Sequence, residues 1–265
     1  LERVKEVVRR EKPDLVVFTG DVIYSAPAVE GMKTIVSLVS KAKVPFVVCF
    51  GNHDKEFDAT NEQMYDMLRT LPYNLHPDRK GGPVPDIDLK IKARDGRTAF
   101  VLYCIDSHSY NWTDRYYEWI TEEQIRDYES RSAAYTAANG GKPVPSLAFF
   151  HIPLPEYGIA ASDQKAPLVG TRREVCCCPD HNSGMFAAMK RCGDVKAVFV
   201  GHDHDDDYSV MWDGILLSYG RYTGGDTVYN HLENGARVIL LHEDGSLDTW
   251  VTLKGGRVLN EWRME

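Results

Sequence analysis

The sequence predicts an α/β (α+β) protein, a four-layer αββα sandwich of two mixed sheets flanked by helices, in a single domain over residues 1–265. Three observations predict it. The first 70 residues read helix, strand, helix, strand, helix, an order that gives parallel strands joined by crossover helices. Later segments alternate apolar with polar residues around Asp-Gly turns, the mark of half-buried strands in hairpins. A chain of 265 residues with 43% hydrophobic and 26% charged content can bury a large core without disulfides or a structural metal.

Each element has its local reason. Leu1, Val4, Val7 and Val8 recur at helical spacing, and Pro13 ends that helix. Asp14 to Thr19 is a short continuous apolar run, expected to be a strand buried on both faces. Ala28 to Lys41 reads as a helix, Phe46 to Phe50 as a second buried strand and Asn61 to Arg69 as a third helix. Ile87, Leu89 and Ile91 alternate with polar residues, and Asp95-Gly96 turns the chain into a strand over Thr98 to Ile105. Thr121 and Gln124 form a capping box opening a helix to about Ala138, where Asn139-Gly140-Gly141 stops it. Ser146 to Phe150 is a strand, and residues 152–180, with four prolines, are expected to be one long functional loop. Ser183 to Arg191 is a helix and Val195 to Val200 a strand. Hairpins follow around Asp213-Gly214 (Val210 to Ser218) and Asp244-Gly245 (Ala236–Leu241 with Leu247–Leu253).

Composition removes several functional classes. The net charge of −8 opposes binding to a nucleic-acid polymer or an anionic membrane. No apolar run approaches the ~18 residues of a membrane span. Six cysteines (49, 104, 176, 177, 178 and 192) contain no Cys-x-x-Cys pair, so they read as free thiols, with a bridge from the 176–178 run to Cys192 as the alternative. The chain opens at Leu1 without a visible signal peptide.

Four chemistry-bearing features share one placement, directly after a short apolar strand: Gly20-Asp21, Gly51-Asn52-His53-Asp54, His151, and Gly201-His202-Asp203-His204. In open α/β sheets ligands bind outside the carboxyl ends of strands, so these loops are expected to converge. Carboxylate, amide and imidazole together suit Mn, Fe or Zn. A pair of such ions forms a clamp for displacement at phosphorus. His202 and His204, at i and i+2, would lie on one face of an extended segment. Asp205, Asp206 and Asp207 read as a solvated acidic loop.

In that order these motifs resemble the calcineurin-like metallophosphoesterase superfamily, whose marks are GD, GNH(D/E), a lone His and GHxH. The wider context is similar to its purple acid phosphatase-like branch: Phe149 to Tyr157, Asn182-Ser183-Gly184, Val198 to His204, and Trp119-Ile120 leading into Glu123-Gln124-Ile125. The resemblance implies a dinuclear site of Fe, Mn or Zn. Asp21 is its bridging carboxylate, Asn52, His151 and His202 complete one metal site, and His204 ligates the other. His53 stands beside the substrate and Asp54 orients it. Tyr24 fits the GDxxY pattern of a phenolate ligand, with a cleft-lining tyrosine as the alternative. The family's opening Asp-x-His or Asp-x-Gly has no counterpart before Asp21, so the domain is expected to lack its first strand.

The implied activity is hydrolysis of a small phosphate ester, a monoester, by metal-bound hydroxide. The alternatives are a nucleotide phosphodiesterase or an inactive metal-binding module. The location stays open, with a periplasmic or secreted setting favoured by the family resemblance alone. Substrate contacts are sought at His108, His181, Tyr157 and Arg221, the last because arginine grips phosphate in two places. His76, His231 and His242 are assigned no role. Trp112, Tyr116, Tyr117 and Trp119 read as packed aromatics, or as a stacking platform for a base. Asn111-Trp112-Thr113 is a glycosylation sequon by pattern.

Overall fold

The computed structural model describes residues 1–111, 113, 117–225 and 228–264. In chain order the elements are α1 (Glu2–Glu11), β1 (Val16–Thr19), α2 (Ala28–Lys41), β2 (Phe46–Cys49), α3 (Asn61–Arg69), β3 (Ile87–Lys92), β4 (Thr98–Cys104), α4 (Glu122–Ala138), β5 (Ser146–Phe149), α5 (Pro155–Ser162), β6 (Leu168–Val169), α6 (Met185–Cys192), β7 (Val195–Val200), β8 (Ser209–Trp212), β9 (Ile215–Tyr219), β10 (Gly235–Leu241), β11 (Leu247–Leu253) and β12 (Val258–Met264). Seven strands form a mixed sheet in the order β3-β4-β5-β7-β9-β8-β6, with β4, β5, β7 and β9 parallel. β1 and β2 pair in parallel, and β10-β11-β12 form an antiparallel group.

The period of two along each strand sorts the large sheet's side chains into two cores. Phe100, Leu102, Cys104, Leu147, Phe149, Ala197 and Phe199 pack on one side with β1, β2 and helices α2 and α3. Val101, Tyr103, Ala148, Phe150, Val198 and Val200 pack on the other with α4, α5 and α6. The layers are therefore helices, small sheets, large sheet, helices. Among the described residues no helix is long and apolar enough to cross a membrane.

Four expectations are corrected. β1 is half-buried throughout rather than fully buried, because it pairs only with β2 among the described strands. The supposed loop 152–180 contains α5 and the short β6; Pro155 occupies the first helical turn, where a missing N–H costs nothing. β12 was not foreseen. Asp205, Asp206 and Asp207 are buried, because each carboxylate caps backbone N–H groups or pairs with a cation. All six cysteines are free thiols, so no bridge to Cys192 forms.

Candidate metal centre

Strands β1 and β2 each deliver one side chain to a single point, and two strands of the large sheet each deliver another. Asp21 follows β1, Asn52 follows β2, His151 follows β5 and His202 follows β7. Around His151 Nε2 lie Asp21 Oδ2 at 2.9 Å, Asn52 Oδ1 at 3.1 Å and His202 Nδ1 at 3.1 Å. The ligand atoms of Asp21, His151 and His202 all fall within 4.8 Å of one another. Asn52 and His151 are almost wholly buried.

The backbone is shaped for this approach. Gly20 has φ +91°, and a Cβ there would sit 2.5 Å from His151 Nδ1. A Cβ on Gly51 would sit 2.1 Å from Asp21 Oδ1. Asp21 (φ 49°) and His202 (φ 75°) adopt the left-handed region, a strain that functional sites commonly hold.

The donor chemistry fits a cation. His151 Nδ1 lies 2.7 Å from the Thr19 carbonyl, which can only accept, so Nδ1 carries a hydrogen. In the neutral ring Nε2 then offers a lone pair, facing a carboxylate oxygen, an amide oxygen and a second imidazole. Asp21 Oδ2 is buried with no hydrogen bond directed at it. Atoms that share an ion at about 2.0–2.2 Å stand roughly 3 Å apart, as the Asp21, Asn52 and His202 atoms each do from His151 Nε2. The electrostatics agree. Burial opposes charge on Asp21, but the His151 and His53 imidazoles hold its carboxyl well below the usual range. Burial lowers His151 and the Asp21 charge more than reverses it, so positive charge is favoured at this centre. Burial, then His151, holds His202 well below an ordinary histidine, which leaves it neutral and able to ligate.

His53 borders the group, its backbone N–H donating to Asp21 Oδ1 at 2.9 Å. Asp54 does not orient its ring as expected. Asp54 Oδ2 accepts the N–H groups of Gly51 (2.7 Å) and Asp21 (3.0 Å), and Oδ1 accepts that of Ile23 (3.0 Å). Burial and the Asp21 charge push Asp54 up to about 7. The partner of His53 Nδ1 is Glu56, at 2.8 Å. Sequence reasoning missed Glu56, although it sits only three residues after His53.

The segment after β4 was also missed, apart from His108. Ser107 Oγ accepts the backbone N–H groups of His151 and Ile152, and Ser109 Oγ donates to the Asn52 carbonyl. The Tyr110 hydroxyl accepts the Asn52 amide N–H at 2.8 Å. Burial and Glu56 push the Tyr110 phenol up to about 12, so it keeps its hydrogen.

The remaining expected residues fall elsewhere. His202 and His204 do not share a face, because the left-handed turn at His202 breaks the alternation; His204 Nδ1 donates to the Tyr229 carbonyl at 2.9 Å, outside the compact group. Tyr24 stands edge-on to His53 and Phe57 and is 40% exposed, the place of a cleft-lining ring. Tyr157 is no substrate contact: it is fully buried, its hydroxyl donating to the Val198 carbonyl. Arg221 is buried and paired with Asp207, so it holds the fold rather than a phosphate. His108 meets Gln124 at 2.8 Å, and His181 packs on Trp119. Tyr117 lies edge-on to His202 and stacks with Tyr110, whereas Trp112 and Tyr116 lie outside the described residues.

Comparison with known proteins places the chain in a family. The family model for calcineurin-like phosphoesterases matches residues 1–206. The chain is 33% identical over 239 residues to an Arabidopsis thaliana protein named probable inactive purple acid phosphatase 29, covering 82% of this chain and 61% of that protein. It is 33% identical over 285 residues to phosphatase DCR2 of Saccharomyces cerevisiae, covering 95% of this chain and 47% of that one. The chain thus spans about half to three fifths of these relatives' length. A dimetal phosphatase from Danio rerio superposes with TM-score 0.67 at 13% identity, over 99% of this chain and 88% of its own, which shows a shared fold.

Proposed function

The chain belongs to the calcineurin-like phosphoesterase family, and from that premise we propose that it is a metal-dependent phosphoesterase acting on small phosphate monoesters. The observation that carries the reading is the convergence of Asp21, Asn52, His151 and His202, two of them buried and two half-buried, with acceptor atoms facing one another and His53 alongside. These four residues would hold one ion. Asp21 would extend to a second together with His204, and Tyr24 is the remaining candidate donor. When bound, a pair of Fe, Mn or Zn ions supplies Lewis acidity at phosphorus and lowers the pKa of water.

The protein's own groups do the rest. His53 offers Nε2 toward the substrate while Nδ1 is held by Glu56, which suits delivery of a proton to the leaving oxygen. Asp54 ties the Gly20 and Gly51 turns together through three backbone N–H groups, so that Asp21 and His53 keep their relative position. Tyr24, itself edge-on to Phe57, walls His53 on one side.

Purified protein loaded with Mn(II), Fe or Zn(II) is expected to hydrolyse p-nitrophenyl phosphate faster than the bis ester, and chelation or His151→Ala should remove that activity. A faster bis-ester rate would favour the phosphodiesterase. A second reading, an inactive metal-binding module, has support in the word "inactive" in the name of the Arabidopsis relative. Stoichiometric metal with no turnover of either ester would establish that reading instead.

A further inference from the structure

His204 lies further from the end of its strand than Asp21, Asn52, His151 or His202 does from theirs. β7 stops at Val200, the chain turns at His202 with φ 75°, and His204 sits beyond that turn in irregular backbone. An imidazole so placed keeps its choice of rotamers unless neighbouring groups remove it. Its Nδ1 lies 2.9 Å from the Tyr229 carbonyl, which can only accept, so Nδ1 carries a hydrogen. In the neutral ring the lone pair is then on Nε2. The ring also packs against those of Tyr229 and Tyr222, with centroids 4.6 and 5.1 Å away.

Tyr229 is itself outside any helix or strand, and its ring is 52% exposed. What fixes it is Glu174. The Tyr229 hydroxyl donates to Glu174 Oε2 at 2.6 Å. Burial and the Glu174 charge push this phenol well above its ordinary range, so the hydrogen stays on it. The other oxygen of the same carboxylate, Oε1, accepts the Asp205 N–H at 2.5 Å. Asp205 follows His204 directly, and its Oδ1 accepts the His231 N–H at 2.5 Å. On the other side of His204, Asp203 Oδ2 accepts the Cys177 N–H at 3.2 Å and the Tyr219 hydroxyl at 2.6 Å. One carboxylate therefore grips both the residue after His204 and the residue whose carbonyl holds its ring. Bonds to a charged acceptor are the stronger kind, and these two leave no slack between residues 204 and 229.

We propose that Glu174 is a positioning residue for His204: by tying Tyr229 to Asp205 it holds the imidazole with Nε2 as the donor atom left for a second ion. The inference rests on the two-ion reading above. The polar partners of metal ligands commonly govern affinity by 10–100-fold.

The test is calorimetric titration with Mn(II) alone, on the full chain, for wild type, Tyr229→Phe, Glu174→Ala, His204→Ala and the Tyr229→Phe/His204→Ala double variant. Wild type is expected to bind two ions and His204→Ala one. Tyr229→Phe keeps the ring and the backbone carbonyl and loses only the hydroxyl. It and Glu174→Ala should weaken the second ion roughly tenfold or more and leave the first unchanged, with the circular dichroism and thermal unfolding of Tyr229→Phe in chelator as in wild type. With the imidazole gone the clamp has nothing to hold, so adding Tyr229→Phe to His204→Ala should change the remaining affinity less than about twofold. Wild-type affinity for both ions in Tyr229→Phe, an equal loss at both sites, or the same loss in the His204→Ala background overturns the proposal. If wild type and His204→Ala each bind one ion alike, His204 is no ligand, and the proposal falls while the site of Asp21, Asn52, His151 and His202 stands. A wild type that binds no Mn(II) overturns the metal-centre reading itself, and the proposal with it.

Discussion

His76 shows how one side chain couples folding to pH. It is 6% exposed, its Nε2 accepts the Val48 N–H at 3.1 Å, and it packs between Phe46 and Tyr65. Burial holds its pKa down to about 4, against 6.5 for an ordinary histidine. The unfolded chain therefore takes up the proton first as pH falls. Stability from the neutral ring is complete above pH 6.5 and is lost between 6.5 and about 4, amounting to about 3 kcal/mol. Urea unfolding at pH 7 and 4.5 should show a steeper loss for wild type than for His76→Gln, and equal slopes would refute the assignment. At this scale Asp21, Asn52, His151 and His202 were legible in the sequence, because each ends an apolar strand beside a glycine or an aromatic residue. Tyr110 and Glu56 were not: their meaning lies in atoms from other loops, and a tyrosine in a polar segment looks ordinary. His76 was assigned no role, and a buried structural histidine agrees with that.

Elements were legible where local chemistry decides them. The capping box at Thr121 and Gln124 is present, with Thr121 Oγ accepting the Gln124 N–H at 3.3 Å and Gln124 Oε1 accepting the Thr121 N–H at 2.8 Å. Gln124 Nε2 also reaches the Asp106 carbonyl at 2.8 Å, so the start of α4 is fastened to the segment that carries Tyr110. Thr121→Ala should cost about 1 kcal/mol, lowering Tm by roughly 2–4 °C, as differential scanning calorimetry would register. No change in Tm would mean the cap is dispensable. α5 was hidden because prolines at 153 and 155 mask a helix whose two buried residues are Tyr157 and Ala160. β12 was hidden for a related reason: none of its residues is fully buried, so the alternation is faint.

At the scale of the whole molecule the acidic run is the largest departure from expectation. Asp207, fully buried, receives the Thr171 N–H at 2.6 Å, the Asn260 amide at 2.7 Å and the Arg221 guanidinium. It fastens the loop after β6, the segment after β9 and strand β12 to one another. A row of aspartates reads as solvated only while its partners, up to 53 residues away, are unknown. Asp207→Ala would strand a buried arginine and should cost about 3–5 kcal/mol in urea unfolding. A loss under about 1 kcal/mol would mean the carboxylate is not needed. The placement of the four clustered side chains has a broader consequence. Two ride on the small sheet and two on the large one, so the cluster straddles the seam between layers that are otherwise joined by apolar packing. The gap between the layers is thus the calliper that sets the spacing of these four groups. A core substitution such as one at Phe149 or Val48 would open or close that calliper and, on the proposed metal-centre reading, be felt first as a change in which ion fits.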